Sequence, residues 1–503
     1  MRKIASALFA LSCGSLGVWA CSSDNGSAPN TADASDGTAG DAAADSPLPP
    51  ILDTGTIVKC KLENGGDPAA LCTQKVVLTA QRRGGFVAEG GVYASWDSKT
   101  FVPDTNDAGA PLHDFRDDLG FGAAIANYHY TSGFYGDSEI TATLDNALVS
   151  LAIVAEAELA TPPADYDGEV YSRLRVFGAG LRYINENEHA AKIDAIAEPY
   201  ARAIYATYYQ PVVGGDAGTS GFVIGTPAAS SQTAYEPAKV ANAALALIDM
   251  AVRHKDDDTV NATKWQTAAV RALDYLWLRA RDPVTHLYYR ALVTSADAGH
   301  DALAASPSPN DALYTEVQAH VMLSLFRAQA LVRANAGALP AIASYPFQAH
   351  AEDLLYAMNG SAVDVAIAVS LWDTTNHGYF EAYVPSTTSF MTNKPTAANA
   401  LMFASIHRKF YDDPPADAGS DTLEVAQLRA LRKLLVDRAP QYSSLFSVVN
   451  NQEAYLRASS SDYHLAALPN DAGIDPMAGS YQSTAIAAVL EALNEQLYGY
   501  VKQ

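Results

Sequence analysis

The feature that most constrains the fold is an alternation of two kinds of helical segment from about residue 79 onward. Segments of the first kind are apolar on every face, and they are 138–160, 236–254, 310–334, 394–411 and 480–499. Segments of the second kind are apolar on one side, and they are 169–185, 188–208, 262–281, 346–372 and 421–438. A helix that is apolar all round must be surrounded by other helices, whereas an amphipathic helix can cover it and face water. The alternation therefore predicts helical hairpins with an inner and an outer member.

Stacked helical hairpins must either close into a ring or propagate as an open solenoid. The chain lacks polar capping repeats, and apolar segments resume soon after each short Gly/Asp cluster, so closure of one large domain is favoured. We therefore predict an all-α fold, an (α/α)6-type toroid of helical hairpins with short β-like turns at its rim, over residues 56–503.

A repeated ten-residue frame supports the hairpin interpretation. Residues 282–291 read "DPVTHLYYRA" and residues 373–382 read "DTTNHGYFEA", so that Asp, His, Tyr and Ala coincide at a separation of ninety-one positions. Each window is expected to follow an outer helix and to lead back toward the next inner helix. We assign His286 and His377 to the structure of these turns, paired with Asp282 and Asp373, and expect the aromatic residues at one rim of the ring.

The N-terminus predicts export. Residues 1–21 combine Arg2 and Lys3 with a short apolar stretch that ends in "VWAC", which resembles a lipoprotein box and makes Cys21 the expected lipidation site. Trp19 departs from the usual small residue, so ordinary cleavage and secretion is the alternative. Residues 22–55 are rich in Ala, Asp, Gly and Ser and predict a solvated acidic tether. The expected location is the cell envelope, as an outer-membrane lipoprotein or a secreted protein.

Charge and cysteine content exclude several classes of protein. A formal net charge of −23 argues against nucleic-acid binding, because no basic stripe could replace phosphate counterions. Cys60 and Cys72 are expected to form a disulfide outside the reducing cytoplasm, with two separate thiols as the alternative. We expect no metal and no cofactor, since there is no phosphate-binding glycine loop, no HExxH and no pair of histidines at metal spacing.

Several segments carry a resemblance to known proteins. "LWDTTNHGYFEAY" resembles the outer-helix stop and aromatic turn of the six-hairpin (α/α) toroid enzymes. "TATLDNALVSLAIVAEAE", "YTEVQAHVMLSLFRAQ" and "KPTAANALMFASI" are similar to inner helices in the toroid half of thioredoxin-linked proteins of unclear function, and the third is also similar to N-acylglucosamine 2-epimerases. The resemblance implies a central funnel, lined by the starts of the inner helices, that holds a carbohydrate. No Cys-x-x-Cys is present, so redox chemistry is not implied.

Acidic residues near the starts of inner helices are candidates for glycoside hydrolysis, which requires one protonated and one ionised carboxyl group. The candidates are Asp137, Glu139, Asp145, Glu236 and Glu316. Asp145 and Glu316 fall within apolar helices, where an unpaired carboxylate is costly. The alternative for each acid is ordinary stabilisation of a helix N-terminus. His320 is a candidate base for sugar epimerisation, as the epimerase resemblance implies, or else a buried structural histidine.

Aromatic and amide side chains at the same level are candidates for ligand binding, because tyrosine offers both an apolar face and a hydroxyl group. The aromatic candidates are Tyr130, Phe134, Tyr135, Tyr235, Tyr314, Tyr379 and Tyr481, and the amide candidates are Asn146, Asn242 and Asn399. The sequence thus favours a lipid-anchored, glycosidase-like hydrolase with a carbohydrate ligand. Two alternatives stay open: a non-catalytic envelope protein that binds a glycan or a partner, and a sugar epimerase or isomerase.

Overall fold

The computed structural model describes residues 233–294, 312–375, 377–412, 422–435 and 480–498 continuously, together with short stretches elsewhere in the chain. The chain divides into two units, 1–50 and 51–503, and every described element belongs to the second.

Within the described residues, four long helices belong to the inner layer: α1 (Pro237–Arg253), α3 (Thr315–Ala334), α5 (Thr396–Asp412) and α7 (Ser483–Tyr498). They pack side by side in that order, α1 on α3, α3 on α5 and α5 on α7. Thirteen of the 17 residues of α1 and 15 of the 20 residues of α3 are buried, so these helices are covered on all sides. The predicted inner segments are therefore confirmed for this part of the chain.

Three helices of the part of the chain that the structure describes belong to the outer layer: α2 (Thr259–Arg279), α4 (Phe347–Met358) and α6 (Leu423–Leu435). Each packs on the inner helix that precedes it in the chain. Only 9 of the 21 residues of α2 and 5 of the 13 residues of α6 are buried, which matches amphipathic helices that cover a core.

Short antiparallel strands connect the helices. They are β1 (Ser95–Asp97), β2 (Tyr209–Gln210), β3 (Gly221–Phe222), β4 (Thr233–Tyr235), β5 (Leu292–Thr294), β6 (Leu303–Ala305), β7 (Leu313–Tyr314), β8 (Ala382–Val384), β9 (Ser389–Met391), β10 (Lys394–Pro395), β11 (Phe446–Val449), β12 (Gln452–Tyr455), β13 (Ala458–Ser459) and β14 (Ser480–Gln482). β4, β7, β10 and β14 each lie directly before an inner helix. A 3₁₀ turn, Pro385–Thr387, joins β8 to β9. The short strands are therefore rim elements of a helical fold.

Strand pairing closes the ring. β1, near the start of the domain, pairs with β14, and β14 leads into the last inner helix, α7. In α7, the Asn494 Nδ2 atom also donates a hydrogen bond to the carbonyl oxygen of Ala124, at 3.0 Å. An open solenoid keeps its first and last repeats apart, because each repeat contacts only its neighbours. These contacts between distant parts of the sequence agree with closure.

One predicted outer helix is shorter than the sequence pattern indicated. The segment 346–372 was predicted to be helical throughout, but α4 ends at Met358 and Gly360 takes a positive φ of 66°. A Cβ atom on Gly360 would lie 3.3 Å from the Ser370 nitrogen, so only glycine fits this helix stop. The amides of Ala366 and Ile367 instead donate to the carbonyl of Val284, in the first repeated turn.

Among the residues that the structure describes, no helix combines the length and apolarity needed to cross a membrane.

Candidate functional site

The first repeated turn, residues 280–291, lies between α2 and β5. Its backbone closes on itself, because the Asp282 amide donates to the Leu287 carbonyl at 2.8 Å and the Tyr289 amide donates to the Ala280 carbonyl at 3.2 Å. His286 sits at the corner with a φ of 62°, in the left-handed region. The expected pairing of His286 with Asp282 is wrong, because the Asp282 carboxylate bonds to other groups of the turn. His286 serves the turn through its backbone conformation.

The carboxylate of Asp282 organises the interior of this turn. Its Oδ2 atom accepts from the Thr285 amide (2.7 Å), the Thr285 hydroxyl (2.8 Å) and the Val284 amide (3.2 Å). Its Oδ1 atom accepts from the Tyr289 hydroxyl at 2.8 Å. The buried charge is therefore stabilised entirely by neutral donors within its own turn.

Gln318, in the first turn of α3, fastens the first repeated turn to an inner helix. Its Oε1 atom accepts from the Tyr288 amide at 2.8 Å, and its Nε2 atom donates to the carbonyls of Tyr288 (2.7 Å) and Tyr314 (3.1 Å). Gln318 is fully buried, so this amide satisfies backbone groups that water cannot reach.

The second repeated turn, residues 371–382, has the same backbone pattern. The Asp373 amide donates to the Gly378 carbonyl at 3.0 Å, and the Phe380 amide donates to the Leu371 carbonyl at 2.9 Å. His377 again has a positive φ, 59°. The sequence repeat is therefore a repeat of structure, although the expected helix before Asp373 is absent.

Asn399, in α5, takes the place of Gln318 in the second turn. Its Oδ1 atom accepts from the Tyr379 amide at 2.7 Å, and its Nδ2 atom donates to the carbonyls of Tyr379 (3.1 Å) and Pro395 (2.9 Å). Asn399 and Tyr379 are both fully buried. The expectation that Asn399 and Tyr379 contact a ligand is therefore not met, because both are committed to the packing of the turn.

Glu316 and His320 lie together on the first two turns of α3. The Glu316 side chain is 54% exposed and the His320 side chain is 20% exposed, with 3.8 Å between Glu316 Oε1 and His320 Nε2. The expected burial of Glu316 in an apolar helix is wrong, because this residue occupies the open side of the helix start. An acid and an imidazole at this distance can exchange a proton with a bound group.

Arg290 and Tyr314 flank the same helix start. Tyr314 precedes α3 directly, and the Arg290 Cζ atom lies 5.3 Å from the centre of its ring. Tyr314 is partly exposed and Arg290 is exposed. Tyr314 thus precedes an inner helix, as the sequence indicated, and its role in ligand binding stays a prediction. Arg290 is a neighbour that the sequence analysis did not include.

Glu236 lies at the N-cap of α1 and is paired with Lys239, with 2.6 Å between Glu236 Oε2 and Lys239 Nζ. The structure does not bring Glu236 into contact with Glu316 among the interactions of the described residues. Asn242, deeper in α1, is buried, and its Oδ1 atom accepts from the Ser324 hydroxyl at 3.1 Å. Asn242 therefore links α1 to α3 and is not placed to bind a ligand.

The other predicted residues are described only in part or not at all. Tyr235 and Tyr481 lie in β4 and β14, directly before α1 and α7, and only their backbones are described. The following lie outside the described residues, and their roles stay predictions: Tyr130, Phe134, Tyr135, Asp137, Glu139, Asp145, Asn146, the lipidation site Cys21 and the disulfide pair Cys60 and Cys72.

A hairpin that the sequence analysis overlooked projects beside the second turn. β8 pairs with β7, and β9 pairs with β8, so the hairpin forms a three-stranded sheet with β7. On β9, Phe390 is 37% exposed and Met391 is 36% exposed. The Phe390 ring centre lies 5.4 Å from that of Phe380 and 5.3 Å from that of Tyr383. The short run "SFM" between two turns carries too little periodicity to indicate such an aromatic group.

A buried ion network occupies the interior between the inner helices. Arg327 Nε lies 2.5 Å from Glu495 Oε1, Arg327 Nη1 lies 3.2 Å from Glu491 Oε1, and Arg408 Nη1 lies 3.9 Å from Glu495 Oε2. Arg327 in α3 thus meets α7 although both helices pack on α5. Arg327, Arg408 and Glu495 each lie twelve residues after the first residue of their helix, about 18 Å along its axis. The network therefore lies between these inner helices at that depth.

No group of three or more metal-binding side chains occurs within the described part of the chain.

Comparison with solved structures identifies proteins of similar architecture. No protein-family model and no curated protein matches the sequence. Among solved structures, a D-mannose isomerase superimposes with a TM-score of 0.57 at 10% identity, over 87% of this chain and 99% of that chain. An unsaturated glucuronyl hydrolase specific for heparin gives a TM-score of 0.53 at 14% identity, over 85% and 96% of the two chains. The GH76 α-mannanase of Bacteroides thetaiotaomicron gives 0.53 at 10% identity, over 89% and 98%.

These neighbours are all six-hairpin toroid proteins, and the predicted fold class is confirmed. The chain is an all-α protein with the (α/α)6 toroid fold. Identities of 10–14% establish the fold alone, because one fold supports many activities.

Proposed function

We propose that the protein is a glycan-active enzyme whose site lies at the end of the toroid where the inner helices begin, and that it hydrolyses glycosidic bonds. The observation that carries the proposal is the exposed Glu316–His320 pair at the start of α3, a helix that is otherwise almost wholly buried. Two of the fold neighbours are named as a glucuronyl hydrolase and a mannanase, which supports a carbohydrate ligand.

In glycoside hydrolysis, Glu316 would act either as the acid that protonates the leaving oxygen or as the second carboxylate. An acid that protonates the leaving oxygen must work with a second carboxylate across the sugar ring. The second group is to be sought among Asp137, Glu139, Asp145 and Glu236. His320 is the neighbouring group, with 3.8 Å between its Nε2 atom and Glu316 Oε1.

Hydrolysis can be tested with the purified protein and a panel of oligosaccharides, with products followed by chromatography. Glu316→Gln should lower kcat by about 10²–10⁴-fold, the usual contribution of a general acid or base. The matched control is Glu424→Gln, which removes a carboxylate from the first turn of the outer helix α6 and should leave kcat unchanged. Full turnover by Glu316→Gln would remove Glu316 from the mechanism.

Sugar isomerisation is the second candidate, and the position of His320 favours it. Its Nε2 atom lies 3.8 Å from the Glu316 carboxylate, as a base oriented by an acid would. One fold neighbour is a D-mannose isomerase. Isomerisation predicts uptake of deuterium from D₂O into a free monosaccharide, and loss of that uptake in His320→Asn. Oligosaccharide binding without cleavage or isomerisation would favour the non-catalytic alternative and end both enzyme proposals.

The proposal also includes export and anchoring through a lipid on Cys21, so that the toroid acts at the cell envelope. It is supported by the basic and apolar segment that precedes this cysteine. Radiolabelled fatty acid should appear in the full-length protein and be absent from Cys21→Ala. Incorporation by Cys21→Ala equal to that of the unaltered chain would exclude this site.

A further inference from the structure

We propose that Arg290, supported on the ring of Tyr314, binds an anionic group of the glycan, either a carboxylate or a sulfate ester. The inference rests on the proposed function, because it assigns a substrate class to the same open end of α3. Its new content is that the protein prefers acidic glycans to neutral ones.

The first argument is the state of the Arg290 guanidinium. It is exposed and lies over the Tyr314 ring at 5.3 Å, and no carboxylate among the described residues pairs with it. Two other described arginines do have such partners: Arg281 lies 3.1 Å from Asp353, and Arg327 is held by two glutamates. In a protein with a net charge of −23, a cation without an acidic neighbour is available to an anion from outside.

The second argument is that the Arg290–Tyr314 pair is held firmly. Gln318 donates to the Tyr314 carbonyl and also bonds both backbone groups of Tyr288, two residues before Arg290. One buried side chain therefore sets the spacing between the backbone of the turn that carries Arg290 and the backbone of Tyr314. A planar guanidinium positioned in advance on an aromatic ring loses little freedom when it forms two hydrogen bonds to a carboxylate or sulfate.

The third argument is position. Tyr314 is two residues before Glu316 and six before His320, so an anion on Arg290 would place its sugar beside the proposed reacting groups. The corresponding residue of the second turn is Glu381, whose amide donates to the Met391 and Asn393 carbonyls within the hairpin. The sign of the charge is thus opposite in the two turns, and the geometry points to the first turn as the one that selects an acidic sugar.

Binding to three hexasaccharides, measured by calorimetry with the full-length protein, tests the inference. The probes are a neutral hexamer of glucose, a hexamer of galacturonate and an O-sulfated neutral hexamer. The protein should bind at least one acidic probe about 10-fold more tightly than the neutral one, which corresponds to one charge-assisted hydrogen-bonding group. The two acidic arms separate recognition of a carboxylate from recognition of a sulfate.

Arg290→Met should abolish this preference while leaving the affinity for the neutral probe unchanged. The matched control is Arg333→Met, which removes the same charge from an exposed arginine at the other end of α3, about 27 Å away. Retention of the preference in Arg290→Met, or its equal loss in Arg333→Met, overturns the inference. Binding of the neutral probe without preference overturns this inference alone, whereas failure to bind or convert any probe also overturns the proposed function.

Discussion

The two repeated turns share a backbone but stabilise their buried aspartates by different means. In the first turn the carboxylate of Asp282 accepts from neutral groups, including the Tyr289 hydroxyl. In the second turn the carboxylate of Asp373 accepts from the Lys394 ammonium at 2.7 Å, and Lys394 is fully buried. Ninety-one positions after Tyr289 the chain has Phe380, which lacks a hydroxyl group.

Lys394, which lies in a strand outside the turn, supplies the donor that the Tyr289 hydroxyl supplies in the first turn. Lys394 begins β10, directly before α5, and the residue at the same distance before α3 is Leu313, a fully buried apolar residue of β7. The donor has therefore moved from the turn itself to the strand that enters the next inner helix. The comparison teaches that the buried aspartate of each turn needs a hydrogen-bond donor. The fold does not determine which residue supplies that donor.

The largest expected effect is the loss of Lys394. Lys394→Leu should lower the free energy of unfolding by about 4 kcal/mol, because it leaves the Asp373 carboxylate buried without its cation. Urea denaturation measures the change. Lys433→Leu, at an exposed position in the last turn of α6, should cost less than about 0.5 kcal/mol. A small effect of Lys394→Leu would mean that the second turn does not need its ion pair.

Loss of the amide that fastens either turn should have a slightly smaller effect. Gln318→Leu and Asn399→Leu should each destabilise the protein by about 3 kcal/mol, because each leaves a buried backbone amide and carbonyl without partners. Since the two amides make equivalent bonds, the two losses should agree within about 1 kcal/mol in denaturant unfolding. Clearly unequal losses would show that the turns are alike in shape but not in energetic importance.

Exchange of the donors is the most direct test of the comparison. Adding Phe380→Tyr to Lys394→Leu should restore about 2 kcal/mol, because a tyrosine hydroxyl there can reach the Asp373 carboxylate as Tyr289 reaches Asp282. The reciprocal control is Leu313→Lys added to Tyr289→Phe in the first turn. Should neither second change recover stability, the two turns would not be interchangeable.

A pH dependence is expected beside the first turn, at His350 in α4. Burial, with help from Arg281, lowers the pKa of His350 from 6.5 to about 4, and its ring stacks on Trp277 at 3.7 Å. Because the folded protein favours neutral His350, its stabilising effect is complete above pH 6.5 and is lost as the pH falls toward 4. The stability difference between the protein and His350→Leu should therefore shrink between pH 7 and pH 4.5. A constant difference would contradict this assignment.

The smallest effect should come from the corner histidines. His286→Gly and His377→Gly should change stability by less than about 1 kcal/mol, because glycine adopts a positive φ without strain. His286→Val should cost about 1–2 kcal/mol, because a β-branched residue is strained in the left-handed region. Thermal unfolding distinguishes the two. Equal effects of glycine and valine would mean that the histidine ring, rather than the backbone, matters at this corner.

The sequence was informative about helices and poor at locating their ends and the site. The inner segment predicted at 236–254 is observed at Pro237–Arg253, because buried apolar residues on every face identify such a helix unambiguously. The segment 346–372 failed because its apolar run continues beyond Gly360, where the chain leaves the helix and bonds to Val284 instead. Apolar character alone does not reveal which partner a backbone amide will find.

The residues of the candidate site were also predicted only in part. Glu316 and Tyr314 were predicted because they stand at the start of an inner helix, which is a local property of the sequence, whereas His320 was predicted from the resemblance to epimerases. Arg290 was missed because only the folded chain brings it to Tyr314. Asn399 was misassigned because a polar residue in an apolar helix can serve either a ligand or a backbone, and the sequence does not distinguish the two.

By itself the sequence determined that this chain builds helical hairpins in two layers and repeats one turn, because burial periodicity and turn chemistry are encoded in neighbouring residues. Tertiary structure alone decided that β1 meets β14 to close the ring, and that the two aspartates find donors in different places. Such choices depend on residues far apart in the chain, whose contact is set by how all the helices pack together.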